Sequence, residues 1–249
     1  MAENTSSESP TAVVVGGSGG FGRGIVQALA AKTMRVVALA RDAGRLEAVA
    51  KEAGVEYMTG DATEETTAAR VLEELRPDLV VICVGARPLL RPLHLHTWET
   101  FALNWEVDTK ATFVWLRNAL LLPMKPGSHI IIVSSAAAIH GSVLSGGYAG
   151  AKRTQWFMAK YASLEAERNK LGLRIQCLLP MLSPTGIGPA AIAAYAERAG
   201  IPQEEFAKRF GPPLTPAIIG QAVVDMHYNP GQWNQLAYQI GGDGLTPVN

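Results

Sequence analysis

The sequence predicts an α/β protein whose core is a doubly wound sheet of about seven parallel strands, with helices on both faces. Three observations lead there. Short runs rich in Val and Ile alternate along the chain with longer segments of helical period. Several of those runs are apolar almost throughout, as suits strands covered on both faces. A glycine-rich turn joins the first run to the first helical segment.

The strand candidates are residues 12–16, 35–40, 55–58, 78–84, 129–134, 173–179 and 236–240. Between them, residues 21–31, 43–53, 64–75, 98–122, 148–170 and 216–226 carry helical patterns. Such alternation implies right-handed crossovers between parallel neighbours. No shift in composition marks a second domain, so residues 11–249 read as one domain behind a polar, disordered tail at 1–10. One connection is long. Residues 183–215 are rich in Pro, Gly and Ala, with short helical pieces at 190–199 and 203–210. An insertion of that length suits a substrate lid. Its apolar residues Ile187, Ile192, Tyr195, Ile201, Phe206 and Phe210 favour a hydrophobic substrate.

Composition removes other classes. The chain has 22 basic and 22 acidic residues among 249, so no charge footprint for nucleic acid or anionic membrane exists. The first ten residues are polar and acidic, unlike a secretory or mitochondrial signal. The longest uncharged stretch, 126–151, is interrupted by serines and glycines and does not read as a membrane span. Folding should bury roughly 70–75% of the unfolded chain's surface, enough for a core without metals or disulfides. A cytoplasmic protein is expected. Cys83 and Cys177 fall on strands separated by a third, too far apart for a disulfide, so both should be reduced, buried thiols.

Val13, Val14 and Val15 run directly into Gly16, Gly17, Ser18, Gly19, Gly20, Phe21 and Gly22. Glycines there permit positive φ and close approach of backbone N–H groups to phosphate, which a helix N-terminus also attracts. With six glycines in residues 16–24, three registers fit: Gly17/Gly19/Gly22, Gly16/Gly20/Gly22 and Gly16/Gly19/Gly22. Dinucleotide binding follows, in a Rossmann-type unit. The second strand ends Ala38, Leu39, Ala40, Arg41, Asp42. The carboxylate that would hold a ribose 2′-OH is replaced by Ala40, and Arg41 can bind a 2′-phosphate instead. NADP(H) is therefore expected over NAD(H), with Arg45 and Arg23 as reinforcement; a solvated Arg41 is the plainer alternative. Asp61 either accepts from the adenine amino group or caps the following helix.

Ser134 and Ser135 end the fifth strand, where such sheets place ligands. Tyr148 follows Ser135 by thirteen residues, and Lys152 follows Tyr148 by four, on one helical face. A nearby ammonium favours the phenolate of a tyrosine whose ordinary pKa is about 10. Tyr148 can then exchange a proton with a carbonyl or alcohol oxygen while hydride moves to or from nicotinamide. His94 and His96 lack a third ligand at metal spacing and read as loop histidines. His140 lines the pocket or serves structure. Trp105, Trp115 and Trp156 suit core or subunit contacts.

On these residues the sequence resembles the compact, single-domain branch of the short-chain dehydrogenases/reductases over nearly its full length. The resemblance implies catalytic roles for Ser135, Tyr148 and Lys152, and fixes the glycine motif on Gly16, Gly20 and Gly22. It implies cofactor contacts from Ser18, Phe21, Arg41, Asp61, Ala62, Gly85, Tyr148, Lys152 and Thr185, with no metal. It implies a homodimer or homotetramer. The family's fourth catalytic residue, an asparagine, aligns with Asp108. A carboxylate there either serves the lysine's relay or is an exposed helix charge, with Asn104 one turn earlier as a substitute. The family's N-N-A-G segment after the fourth strand reads Ile82, Cys83, Val84, Gly85 here, so its asparagine contacts are absent, and Met181 stands where the family has glycine. The expected activity is NADPH-dependent reduction of a small hydrophobic ketone or aldehyde, or the reverse oxidation. An NADP-binding isomerase, lyase or nucleotide sensor is the alternative.

Overall fold

The computed structural model describes residues 9–122, 124–184 and 188–248. Most of the expected tail, together with Thr185 and Ile187, lies outside them. The elements run β1 (Thr11–Val15), α1 (Gly20–Ala30), β2 (Arg35–Ala40), α2 (Ala43–Ala53), β3 (Glu56–Thr59), α3 (Glu65–Leu75) and β4 (Leu79–Ile82). They continue with α4 (Trp98–Asn104), α5 (Lys110–Leu121), β5 (His129–Val133), α6 (Ala137–His140), α7 (Tyr148–Arg168) and β6 (Arg174–Pro180). Last come α8 (Gly188–Ala199), α9 (Gln203–Lys208), α10 (Pro216–Tyr228), β7 (Ala237–Gly241) and β8 (Gly244–Pro247). The strand order is β3-β2-β1-β4-β5-β6-β7-β8. The order reverses at β1, between β2 and β4, which opens a crevice at the strands' carboxyl ends.

Strand pleating divides the core in two. Val13, Val15, Val80, Ile82, Ile130 and Ile132 pack with residues of α3, α5 and α7, while Ala12, Val14, Val81 and Ile131 pack with α1, α2 and α10. Burying each Val or Ile side chain contributes about 1.5–3 kcal/mol, and these strand residues are at most 1% exposed. Three of the helices start on side chains that take up free N–H groups. Asp42 accepts from Arg45 N ahead of α2, Thr97 and Thr100 form a reciprocal box at α4, and Thr215 accepts from Ile218 N ahead of α10. No helix among the described residues is long and apolar enough to cross a membrane.

Two features depart from the sequence expectation. An eighth strand, antiparallel to β7, closes the sheet through the turn at Gly242 and Asp243. Its four residues are too short to show a period. The helix expected at 98–122 is instead two helices joined by a π-helical turn at Trp105–Thr109. The widened turn matters because Asp108 sits in it.

At the amino ends of β5 and β6 lies a buried polar group. Arg174 Nη2 donates to His129 Nδ1 at 2.7 Å and to the His227 carbonyl at 2.9 Å. The rings of His129 and His227 stack at 5.7 Å. Burial, and then the Arg174 guanidinium, push His129 well below the ordinary histidine value of 6.5 and lower His227 as well. Below about pH 6.5 the unfolded chain therefore takes up protons that the folded chain refuses. Stability must fall with acid, each histidine contributing at most about 1.4 kcal/mol per pH unit. Thermal melts of wild type and His227→Gln between pH 7.5 and 5.5 check this. The wild type should lose more Tm than the variant, and equal losses would refute it.

Candidate active site

A cavity of about 760 Å³ opens at the carboxyl edge of the sheet, walled by the glycine turn, Gly85, Ser135, Tyr148, Lys152 and Met181. The turn is built for close approach. Gly16 has φ +90°, and a Cβ there would stand 2.4 Å from the Cys83 carbonyl oxygen; one at Gly22 would stand 2.1 Å from Gly16 O. Gly20 has φ +52° and faces open space. These demands single out the Gly16/Gly20/Gly22 register. No side chain caps the first turn of α1 and no acidic residue sits in it, which leaves its N–H groups for an anion. The turn thus fits a dinucleotide pyrophosphate.

The second expected phosphate contact lies beyond that cavity. The Arg41 side chain is 71% exposed, 3.7 Å from Asp61 Oδ2. Asp61 does not cap α3. Its Oδ1 accepts from Thr63 N at 2.9 Å and Thr63 Oγ1 at 2.8 Å, and the helix begins only at Glu65, after Glu64 at the cap position. The Thr63 N–H holds the Asp61 carboxyl below the usual carboxylate range against partial burial, with Thr63 Oγ1 and then Arg41 adding to it. Arg45 reaches the glycine turn: a Cβ on Gly19 would meet its Nη2 at 2.5 Å. Arg23 does not join it. Its guanidinium is held by Glu52 at 2.7 Å, so the reinforcement expected from Arg23 is not there. Half-buried Ser18 lies within the turn, and the carbonyl of buried Ala62 accepts from Trp115 Nε1.

Tyr148 and Lys152 lie one turn apart at the start of α7, the ammonium 5.6 Å from the phenol ring centre. Ser134 is turned to structure, its Oγ donating to Lys152 O at 2.8 Å. Ser135 Oγ accepts from Ala137 N at 3.2 Å and keeps its own proton to donate. Asp108 is the surprise. It is 0% exposed, and its Oδ2 lies 3.0 Å from Lys152 Nζ. Its Oδ1 accepts from Ala86 N at 2.8 Å, and Asn104 Nδ2 stands 3.3 Å from both carboxylate oxygens. The reading of Asp108 as an exposed helix charge is therefore overturned, because the π turn swings it inward. Asn104 does not replace it either; it buttresses it, donating also to Ala86 O at 2.9 Å. Burial alone would lower Lys152, but the Asp108 carboxylate, followed by Tyr148, outweighs it and the lysine is raised above 10.5. Gly85 leaves room for the pair, since a Cβ there would stand 3.1 Å from Asp108 Oδ2.

Sequence reasoning missed the residues that fix this turn. The Asp108 carbonyl accepts from Thr112 Oγ1 at 2.9 Å and from Gln155 Nε2 at 3.1 Å. Their spacing, four residues after Asp108 and three after Lys152, was the available signal. Cys83, expected to be buried, is only half-buried and stands in the cavity wall; desolvation of its thiol pushes it up to about 11, although the nearby Lys152 opposes this. Burial pushes buried Cys177 up to about 12. Both thiols are free. Both ring nitrogens of His96 are engaged, with Thr100 Oγ1 and Arg91 O at 3.2 Å. Exposed His140 lines the cavity. Trp115 and Trp156 are buried, whereas Trp105 is 39% exposed.

Residues 10–194 match the family model described as short chain dehydrogenase. The chain belongs to that family. It is an oxidoreductase of the kind that acts on CH–OH or C=O groups with a nicotinamide cofactor. Among its relatives, a human L-xylulose reductase is 29% identical over 182 residues, covering 72% of this chain and 73% of that one. A mouse L-fucose dehydrogenase is 27% identical over 231 residues, covering 90% and 84%. Its fold resembles that of a variant actinorhodin polyketide ketoreductase with NADPH, with TM-score 0.80 and 22% identity over 94% of this chain and 96% of that one.

Proposed function

We propose that this chain is an NADP(H)-dependent oxidoreductase that reduces a ketone or aldehyde to an alcohol, or runs the reverse. The observation that carries the reading is the meeting of Tyr148 with a buried, carboxylate-held Lys152 beside an uncapped glycine turn. Ser135 O–H holds the carbonyl oxygen and Tyr148 passes it a proton. The Lys152 ammonium favours the phenolate that remains. Asp108 keeps that ammonium in place. When bound, the nicotinamide supplies or accepts the hydride.

Gly16, Ser18, Gly20, Phe21 and Gly22 hold the pyrophosphate side of the cofactor. Arg41, Asp61 and Ala62 serve its adenosine end, and Gly85, Lys152 and Thr185 its nicotinamide end. Two arginines, Arg45 against the glycine turn and Arg41 beside Asp61, favour a 2′-phosphate. NADPH should therefore bind more tightly than NADH in a fluorescence titration, with Arg41→Ala shrinking the difference. A preference for NADH would sink the assignment.

The two relatives named above are named for sugars, yet this cavity is walled largely by apolar side chains such as Leu90, Val143, Leu182, Phe206 and Phe210. That supports a hydrophobic carbonyl substrate beneath a lid formed by residues 183–215. The exposed Phe113, Phe157, Tyr161 and Leu164 on α5 and α7 support a homodimer or homotetramer. The two free thiols suit the cytoplasm. NADPH oxidation across a panel of aryl and alkyl ketones tests the activity. Cofactor binding without turnover of any of them would favour the nucleotide sensor.

A further inference from the structure

We infer that the carbonyl substrate carries an anionic group, such as a carboxylate, which Arg209 receives at the lid side of the cavity; this rests on the oxidoreductase reading above. Among the described residues, three formally charged side chains line the cavity: Asp108, Lys152 and Arg209. The first two cancel each other in a buried pair at 3.0 Å. Arg209 has no carboxylate within 4.0 Å among the described residues. Asp243, whose Oδ2 would stand 3.6 Å from a Cβ on Gly211, makes no ion pair with Arg209 within 4.0 Å. A net positive charge is thus left on a mostly apolar wall, whose uncharged polar residues include Ser142, Tyr195 and Gln239.

The guanidinium is also positioned. Its Cζ lies 5.7 Å from the Phe206 ring centre, and Phe206 stacks on Tyr195 at 6.0 Å with planes 10° apart. The Tyr195 hydroxyl is 2.6 Å from Ser142 Oγ and accepts from Leu144 N at 3.1 Å. A continuous chain of contacts therefore ties Arg209, through two aromatic rings, to the loop that follows α6. An arginine anchored by cation–π contact keeps its planar fork free for a carboxylate. Arg209 is itself exposed, so water screens its bare charge, and discrimination between an acid and its neutral analogue rests on the paired hydrogen bonds that its planar fork can give a carboxylate.

The test pairs an aryl keto acid with its methyl ester, in wild type and Arg209→Gln, together with NADPH affinity. The wild type should prefer the acid in kcat/KM. The variant should lose that preference by about tenfold, chiefly through KM, and Arg209→Lys should restore part of it. Salt should raise the wild-type KM for the acid more than for the ester. Equal losses for acid and ester would overturn the inference, leaving Arg209 a packing residue. Weakened NADPH binding with an unchanged acid-to-ester ratio would assign the cation to the cofactor's phosphates instead. If neither ketone is turned over, calorimetry of the NADPH-loaded enzyme with benzoate-type acids and their esters decides separately. Acid-selective binding lost in Arg209→Gln supports the assignment, and equal binding overturns it.

Discussion

Tyr148→Phe should lower kcat by about 10²- to 10⁴-fold, the usual share of a positioned proton donor, while NADPH still binds. The side chain is 9% exposed, so the change deletes one hydroxyl and leaves the ring's packing in place. Lys152 would remain held by Asp108, because that pair does not depend on the phenol oxygen. Steady-state rates and a fluorescence titration on the same preparation separate the two effects. A variant that keeps its rate would remove Tyr148 from the chemistry; one that loses NADPH binding as well would make the hydroxyl a cofactor contact first.

Removing the Asp108 carboxylate should be the costliest single change in the site. In Asp108→Ala the ammonium of Lys152, 6% exposed, has no counter-charge, and breaking a buried pair from one side costs about 3–5 kcal/mol. Asp108→Asn keeps the shape and an oxygen for Ala86 N–H, so it should fold, while an amide NH₂ in place of Oδ2 removes both the charge and the acceptor that face Lys152. With the carboxylate present, Lys152 is raised above 10.5. Its stabilising contribution thus holds throughout neutral pH and fades only as pH climbs through that raised value. In Asp108→Asn burial acts with far less opposition, so lysine loses its proton at lower pH and Tyr148 loses its support. The alkaline limb of the kcat profile should therefore move to lower pH, with a lower Tm. An unmoved profile would show that Asp108 is structural.

Much of this was legible in the chain because the signals were local. Periodicity placed the seven parallel strands to within about two residues, and α2 came out at the expected 43–53. The pairing of Tyr148 with Lys152 needed only the helical repeat. What escaped depends on contacts between distant segments. The π turn is held by Gln155, 47 residues beyond Asp108, and no window on 98–122 contains that information. The fate of Arg23 was set by Glu52 on a neighbouring helix, 29 residues away. The alternatives for Asp61 were decided by where α3 starts, a boundary of the kind that propensity fixes poorly. Arg209 gave no sign in sequence, since its environment is made by the folding back of α8 and α9.

Hydride transfer is the central claim, and isotope tracing reaches it directly. NADPH deuterated at one face of its nicotinamide C4 should be incubated with the enzyme and a ketone that it consumes, for each face in turn. One of the two labelled cofactors should place deuterium on the carbinol carbon of the product, and Tyr148→Phe should slow that transfer. Product formed without label from either face, or cofactor bound with no alcohol formed from any ketone, would contradict the account.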